Sequence, residues 1–230
     1  MTAIAPKWAA MRRLPTPRRI GLAFAVFYLL TGCSLPDAGV SVEGDLKLLY
    51  APFPLNNPPR YWHYAERPAK LDTGEQSKAN SLYWEDIDGR IALAMRPAIG
   101  TFELGRRTNI AVLASPYLSF DWLMNASAQP GDTELVLGFR AQSHGDWGES
   151  DLGAGKPPVD HVIRLPIGGD MTGIKEWQRD YFDLSALHRR YWPDTDTIDV
   201  RLVWIGIAAS GDQGADVAGV TYLSHILLSR

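Results

Sequence analysis

Cysteine is almost absent: Cys33 is the only one in 230 residues. No disulfide can form within the chain, so its fold must be held by packing, even in an oxidising compartment. Long hydrophobic runs are missing too. The uncharged run ahead of Cys33, Ile20 to Leu30, is 11 residues long, whereas a spanning helix needs roughly 20. Several chemistries lack their signatures. There is no Gly-x-Ser-x-Gly elbow, no His-Glu-x-x-His, no phosphate loop, no dinucleotide fingerprint and no EF-hand spacing. Positive charge is also scarce. The chain holds 23 Lys and Arg against 26 Asp and Glu. Five of those cations precede Cys33, so 23 less five leaves 18 against 26, a net of −8. Nucleic-acid binding rests on cations meeting phosphates, so this acidic body is no nucleic-acid binder. It offers no broad basic face to anionic lipid either.

What the sequence does carry begins at the front. Lys7, Arg12, Arg13, Arg18 and Arg19 form a basic region, Ile20 to Leu30 a short apolar one, and Thr31 and Gly32 are small. That order describes a secretory signal peptide over residues 1–32. Translation can start at Met1 or at Met11, which would leave a compact "MRRLPTPRR" basic region. Leu30-Thr31-Gly32-Cys33 resembles the bacterial lipobox. The resemblance implies cleavage before Cys33, a diacylated Cys33 side chain and an acylated new N-terminus. Two or more acyl chains anchor a protein stably, at about 0.8 kcal/mol per buried methylene. The competing reading is an ordinary signal peptide with an incidental cysteine. Ser34 follows the cysteine, and by the lipoprotein sorting pattern its identity favours the outer membrane. The expected location is the bacterial cell envelope, lipid-anchored.

Residues 33–60 hold Pro36, Pro52, Pro54, Pro58 and Pro59, which disfavour regular structure and read as a semi-rigid spacer. Leu46 to Tyr50 alternates and is a strand candidate within it. From Tyr61 the pattern changes to short apolar or alternating runs between Gly, Pro, Asn and Asp. Strands are expected over "SLYWED", "RIALAMR", "TNIAVLA", "YLSFDWLM", "TELVLGFRA", "HVIRLPI", "WQRDYFDL", "VRLVWIGIAA" and "VTYLSHILLS". Asp88-Gly89 supplies a hairpin turn. "LSALHRRYW", 184–192, is the one short helix, closed by Pro193. Short strands at this spacing make an all-β sandwich over 61–230.

Two Gly-rich acidic loops stand out, 143–161 and 209–219. Loops this long are often functional. Trp147 with Asp146, Glu149 and Asp151 is the candidate ligand site. An indole stacks on a sugar face, and neighbouring carboxylates accept hydroxyl hydrogen bonds. The other reading of Trp147 is that it pins the loop to the body. The loop acids could also hold a structural calcium, which takes 6 to 8 oxygens; solvated loop charge is the preferred reading. His144 and His161 flank the first loop, but two histidines fall short of a zinc set. "YWHY", 61–64, reads as packing of the spacer onto the body, and "YWED", 83–86, as core aromatics.

The last third carries a second resemblance. "EWQRDYFDLSAL", "DTIDVRLVWIGIAAS" and "GVTYLSHILLS" are similar to the closing strands of galactose-binding-like jelly rolls. The corresponding marks are Trp177, Asp183-Leu184-Ser185, Ile205-Gly206-Ile207, Tyr222, Ile226 and Leu228. Ser224-His225 stands where such strands commonly carry Asp-Asn. The pattern also resembles an uncharacterised group of bacterial envelope proteins. The resemblance implies a jelly-roll sandwich and a binding role, with a polysaccharide as first candidate ligand and no catalytic residues. A glycan-active hydrolase or lyase using carboxylates is one alternative. An assembly factor that binds another envelope protein is the other. Acidic side chains converging on one cleft with an aromatic floor would favour the enzyme. An exposed aromatic platform would favour the binder, and a flat apolar patch the assembly factor.

Overall fold

A computed structural model describes residues 39–40, 45–68, 70–71, 81–97, 100–141, 155–157, 159–169, 176–211 and 219–230. The described strands are β1 (Gly39–Val40), β2 (Leu46–Leu49), β3 (Trp62–Glu66), β4 (Lys70–Leu71), β5 (Ser81–Ile87) and β6 (Arg90–Arg96). They continue with β7 (Gly100–Ala111), β8 (Tyr117–Met124), β9 (Thr133–Ala141), β10 (His161–Pro166), β11 (Gln178–Asp183), β12 (Val200–Gly211) and β13 (Thr221–Ser229). One helix, α1 (Leu184–Tyr191), and one 3-10 turn (Thr197–Asp199) interrupt them. Among the described residues, the chain is an all-β jelly-roll sandwich of two sheets with one short helix.

The first sheet has eight strands, centred on β13, which pairs with β8 along one side and with β2 and β6 along the other. The second has five, in the order β10-β9-β12-β7-β3. Among the described pairs, only β4 with β5 is parallel. Alternation explains the layers. In β8, Leu118, Phe120 and Trp122 point inward and are almost wholly buried. They meet Leu135, Leu137 and Phe139 of β9 and Leu202, Ile205 and Ile207 of β12 in one core. Asp88 (φ 54°) and Gly89 (φ 79°) turn β5 into β6 with two left-handed residues, as a two-residue hairpin requires.

Helix α1 starts where the side chain of Asp183 accepts from the Ala186 amide at 2.9 Å, satisfying one of the free first-turn donors. Two features differ from expectation. β7 begins at Gly100, not at Thr108, and "YWHY" contributes to β3. Residues 45–60, expected within the proline-rich spacer, pack on the sandwich. Leu48, Leu49 and Leu55 are buried. Tyr64 donates to the Leu55 carbonyl and Trp84 to that of Phe53, each at 2.9 Å.

Candidate functional site

Trp147, Asp146, Glu149, Asp151 and Cys33 lie outside the described residues. The end of their loop is described, and it leads to the outer face of the five-stranded sheet. On that face Gly105 of β7, Gly138 of β9 and Gly206 of β12 surround Trp204. A Cβ at Gly105 would lie 2.2 Å from the Trp204 ring, and one at Gly206 2.6 Å from its Nε1. Three missing side chains thus make the trough in which the indole lies flat on the sheet. Val203 creates the arrangement. The register shifts between Leu202 and Trp204, so this bulge turns Trp204 outward between two inward-facing apolar runs.

The indole is completely covered. Lys156 sits 5.6 Å from its ring centre, and Arg107 Nη1 holds the Gly155 carbonyl at 2.7 Å. The loop end is thereby strapped across the sheet. Trp204 Nε1 donates to Glu103 Oε1 at 2.9 Å. Lys156 Nζ reaches the same oxygen at 2.6 Å, and Arg164 Nη2 reaches Oε2 at 3.1 Å. Arg164 Nη1 also bonds Glu134 Oε2 at 3.0 Å. Partial burial pulls the Arg164 pKa down, but bonding to Glu134 and Glu103 outweighs it and the net shift is upward.

Beside this network opens a cleft of about 340 Å³, lined chiefly by Glu66, Thr101, Glu103, Glu134, Arg164 and Ser210. β3, β7, β9, β10 and β12 each supply at least one of them, so rigid strands fix the spacing. Chemically the cleft pairs carboxylate acceptors with guanidinium and hydroxyl donors. Sequence alone singles out none of these residues. Glu103 falls in the half of β7 that reads as loop, and Glu134 and Arg164 look like ordinary outward polar positions.

Two further clusters deserve chemical reading. On the outer face of the eight-stranded sheet, Ser224, His225 and Asp121 come together. Ser224 Oγ lies 2.9 Å from His225 Nδ1, and Asp121 Oδ2 lies 3.7 Å from the same nitrogen. A nucleophilic triad needs serine and carboxylate on opposite ring nitrogens, so this is no triad. Burial lowers the His225 pKa; Asp121 raises it in part, against Arg90, Arg179 and Lys47. In the second cluster, His161 Nδ1 and His188 Nε2 are 3.2 Å apart. Trp192 stacks flat on His161 at 4.1 Å. His161 thus meets α1; its expected companion His144 lies outside the described residues. Among the described residues, no three His, Cys, Asp or Glu side chains are grouped to hold a metal ion. The acids expected to bind calcium, in 143–161 and 209–219, lie mostly outside them. No described helix is long and apolar enough to cross a membrane.

No protein-family model and no curated protein matches the chain. Solved structures with a similar fold include the family 30 carbohydrate-binding module of a cellulosomal cellulase of Clostridium thermocellum. It is 13% identical with a TM-score of 0.47, covering 80% of this chain and 96% of that one. A family 11 carbohydrate-binding module from the same organism is 10% identical with a TM-score of 0.44, covering 82% and 96%. A glycoside hydrolase domain of Endo-D from Streptococcus pneumoniae is 13% identical with a TM-score of 0.36, covering 73% and 21%. TM-scores of 0.36 to 0.47 leave ligand and activity open.

Proposed function

We propose that the body binds a polysaccharide without catalysing its cleavage, in the cleft formed by Glu66, Glu103, Glu134 and Arg164. One observation carries this reading: five rigid strands bring three carboxylates, a guanidinium and two hydroxyls to one open cleft, beside Phe102, Ala208 and Ala209. Adjacent sugar hydroxyls are both donors and acceptors. They can give protons to Glu66 and Glu134 while accepting from Arg164. Both oxygens of Glu103 are already engaged by Trp204, Lys156 and Arg164, which suits a positioning role. Trp147, with Asp146, Glu149 and Asp151, belongs to the loop whose end crosses this face. Its proposed role is to bind the same ligand, with Trp147 stacking on the sugar.

The convergence of three carboxylates also favours a second reading, a glycan-active hydrolase. One experiment separates the two. A panel of oligosaccharides is titrated into the full-length protein, with and without calcium, and the mixtures are analysed for new reducing ends. Binding without turnover, weakened at least tenfold by Glu134→Gln or Arg164→Ala, is the expected result. New reducing ends, abolished by Glu66→Gln, would favour the hydrolase. No binding to any oligosaccharide would sink both readings and leave the assembly factor.

The proposed setting is the bacterial envelope, probed separately. Acyl chains on Cys33 would hold the body at the membrane, as the lipobox resemblance implies. Cys33→Ser should move the protein from the membrane to the soluble fraction. A variant that sediments like wild type would remove the anchor from the proposal.

A further inference from the structure

The outer face of the eight-stranded sheet carries a second site that the cleft does not use. Its centre is Asp121, a carboxylate with 4% of its side chain exposed. Arg179 grips it side-on with Nε and Nη2, and Arg90 Nη1 meets it at 3.0 Å. Both guanidiniums stay open to solvent, their side chains 38% exposed for Arg90 and 47% for Arg179. The Trp177 ring, 4.6 Å from the Arg90 guanidinium carbon, fixes its plane. Lys47 lies close enough to act on His225. Two guanidiniums therefore hold one buried anion, with a third cation acting on the neighbouring His225, on a body whose overall charge is negative.

The register sets aromatic rings beside these cations. Tyr181 is opposite Ser119 and two positions along β11 from Arg179, and Tyr117 lies diagonally across on the same face. Tyr181 is 68% exposed and Tyr117 48%, and the Tyr181 hydroxyl interacts with the Arg179 guanidinium, which holds the exposed ring beside it. His225, held left-handed at φ 53°, forms the bulge where the pairing of β13 with β8 shifts. Such strain concentrates at binding and catalytic positions. Open guanidinium edges recognise planar oxyanions, and a flat exposed phenol offers a stacking surface.

We propose that this face binds an acidic saccharide, its oxyanion held between Arg90 and Arg179 and its ring lying on Tyr181. The oxyanion is a uronate carboxylate or a sulfate ester. This inference stands independently of the cleft on the opposite sheet.

The test is a calorimetric titration of the full-length protein with four ligands. They are an oligouronate, a sulfated oligosaccharide, a neutral oligosaccharide of equal length and inorganic phosphate. The oligouronate or the sulfated chain should bind, and whichever binds names the oxyanion. Affinity should fall with added salt, and at least tenfold in Arg179→Lys, which keeps the charge but loses the fork. Tyr181→Ala should cost as much, and this exposed position leaves the fold intact, as a matching thermal midpoint would verify. Neutral-chain binding that weakens as much as acidic-chain binding in Arg179→Lys and Tyr181→Ala would overturn the proposal. So would binding of phosphate alone, binding unchanged in both variants, or no binding at all.

Discussion

His188 shows how one buried ring can set the acid limit of the fold. It is fully buried between Phe139, His161 and Trp192, and its Nδ1 finds no hydrogen-bond partner. Burial, with the charge of His161 added, pushes its pKa down to about 4 from the usual 6.5. The folded protein therefore binds fewer protons than the unfolded chain between those values, and stability falls as pH drops from 6.5 toward 4. The loss should reach about 3 kcal/mol once the pH lies below both values. Urea titrations across this range should show it, superimposed on the acid response of the carboxylates. His188→Leu should flatten the slope; an unchanged slope would remove His188 from the account. Trp204 makes a second point at this scale. Gly105→Ala places a methyl inside the indole and should cost about 1–3 kcal/mol by overpacking, read as a lower urea midpoint. Neither effect was legible in the sequence. His188 looks like any helix residue there, and glycines at 105, 138 and 206 are too far apart in the chain to betray one shared ring.

At the scale of elements, legibility followed alternation and turn chemistry. β6, β8 and β9 match their expected ranges residue for residue, and Asp88-Gly89 turns where positive φ is tolerated. The first half of β7 was missed because "ELGRR" reads as a polar loop. Its Glu103 takes distant partners in Trp204, Lys156 and Arg164, and its Arg106 donates to the distant Leu48 carbonyl. The bulge at Val203 was hidden for a different reason. β12 is apolar on both faces, so a one-residue slip leaves the pattern intact. The candidate cleft inherits that blindness, since it depends on strands adjacent only in space. The bulge at His225 makes its own prediction. A left-handed residue with a side chain costs about 1–2 kcal/mol. His225→Gly should therefore leave stability unchanged or raise it by up to about 1 kcal/mol, after allowing for glycine's unfolded-state entropy. His225→Val should lower it by a similar or larger amount. Thermal melts of the two variants against wild type would check the sign.

For the whole molecule, composition announced an all-β body without disulfides, and the two packed sheets show how it manages without them. The centre of the larger sheet is β13, bonded on both sides and supplying Leu223, Ile226 and Leu228 to the core. Truncation after Gly219 should leave no cooperative unfolding transition in calorimetry; a retained transition would show that β8 and β6 can close without it.

That placement has a temporal meaning. The strand on which the larger sheet is built is the last of the described strands to be made. Until residue 229 has left the ribosome, β2, β6 and β8 have no common partner, and the core lacks its middle. The larger sheet can thus be completed only after residues 221–229 are available, whereas every strand of the smaller one precedes them.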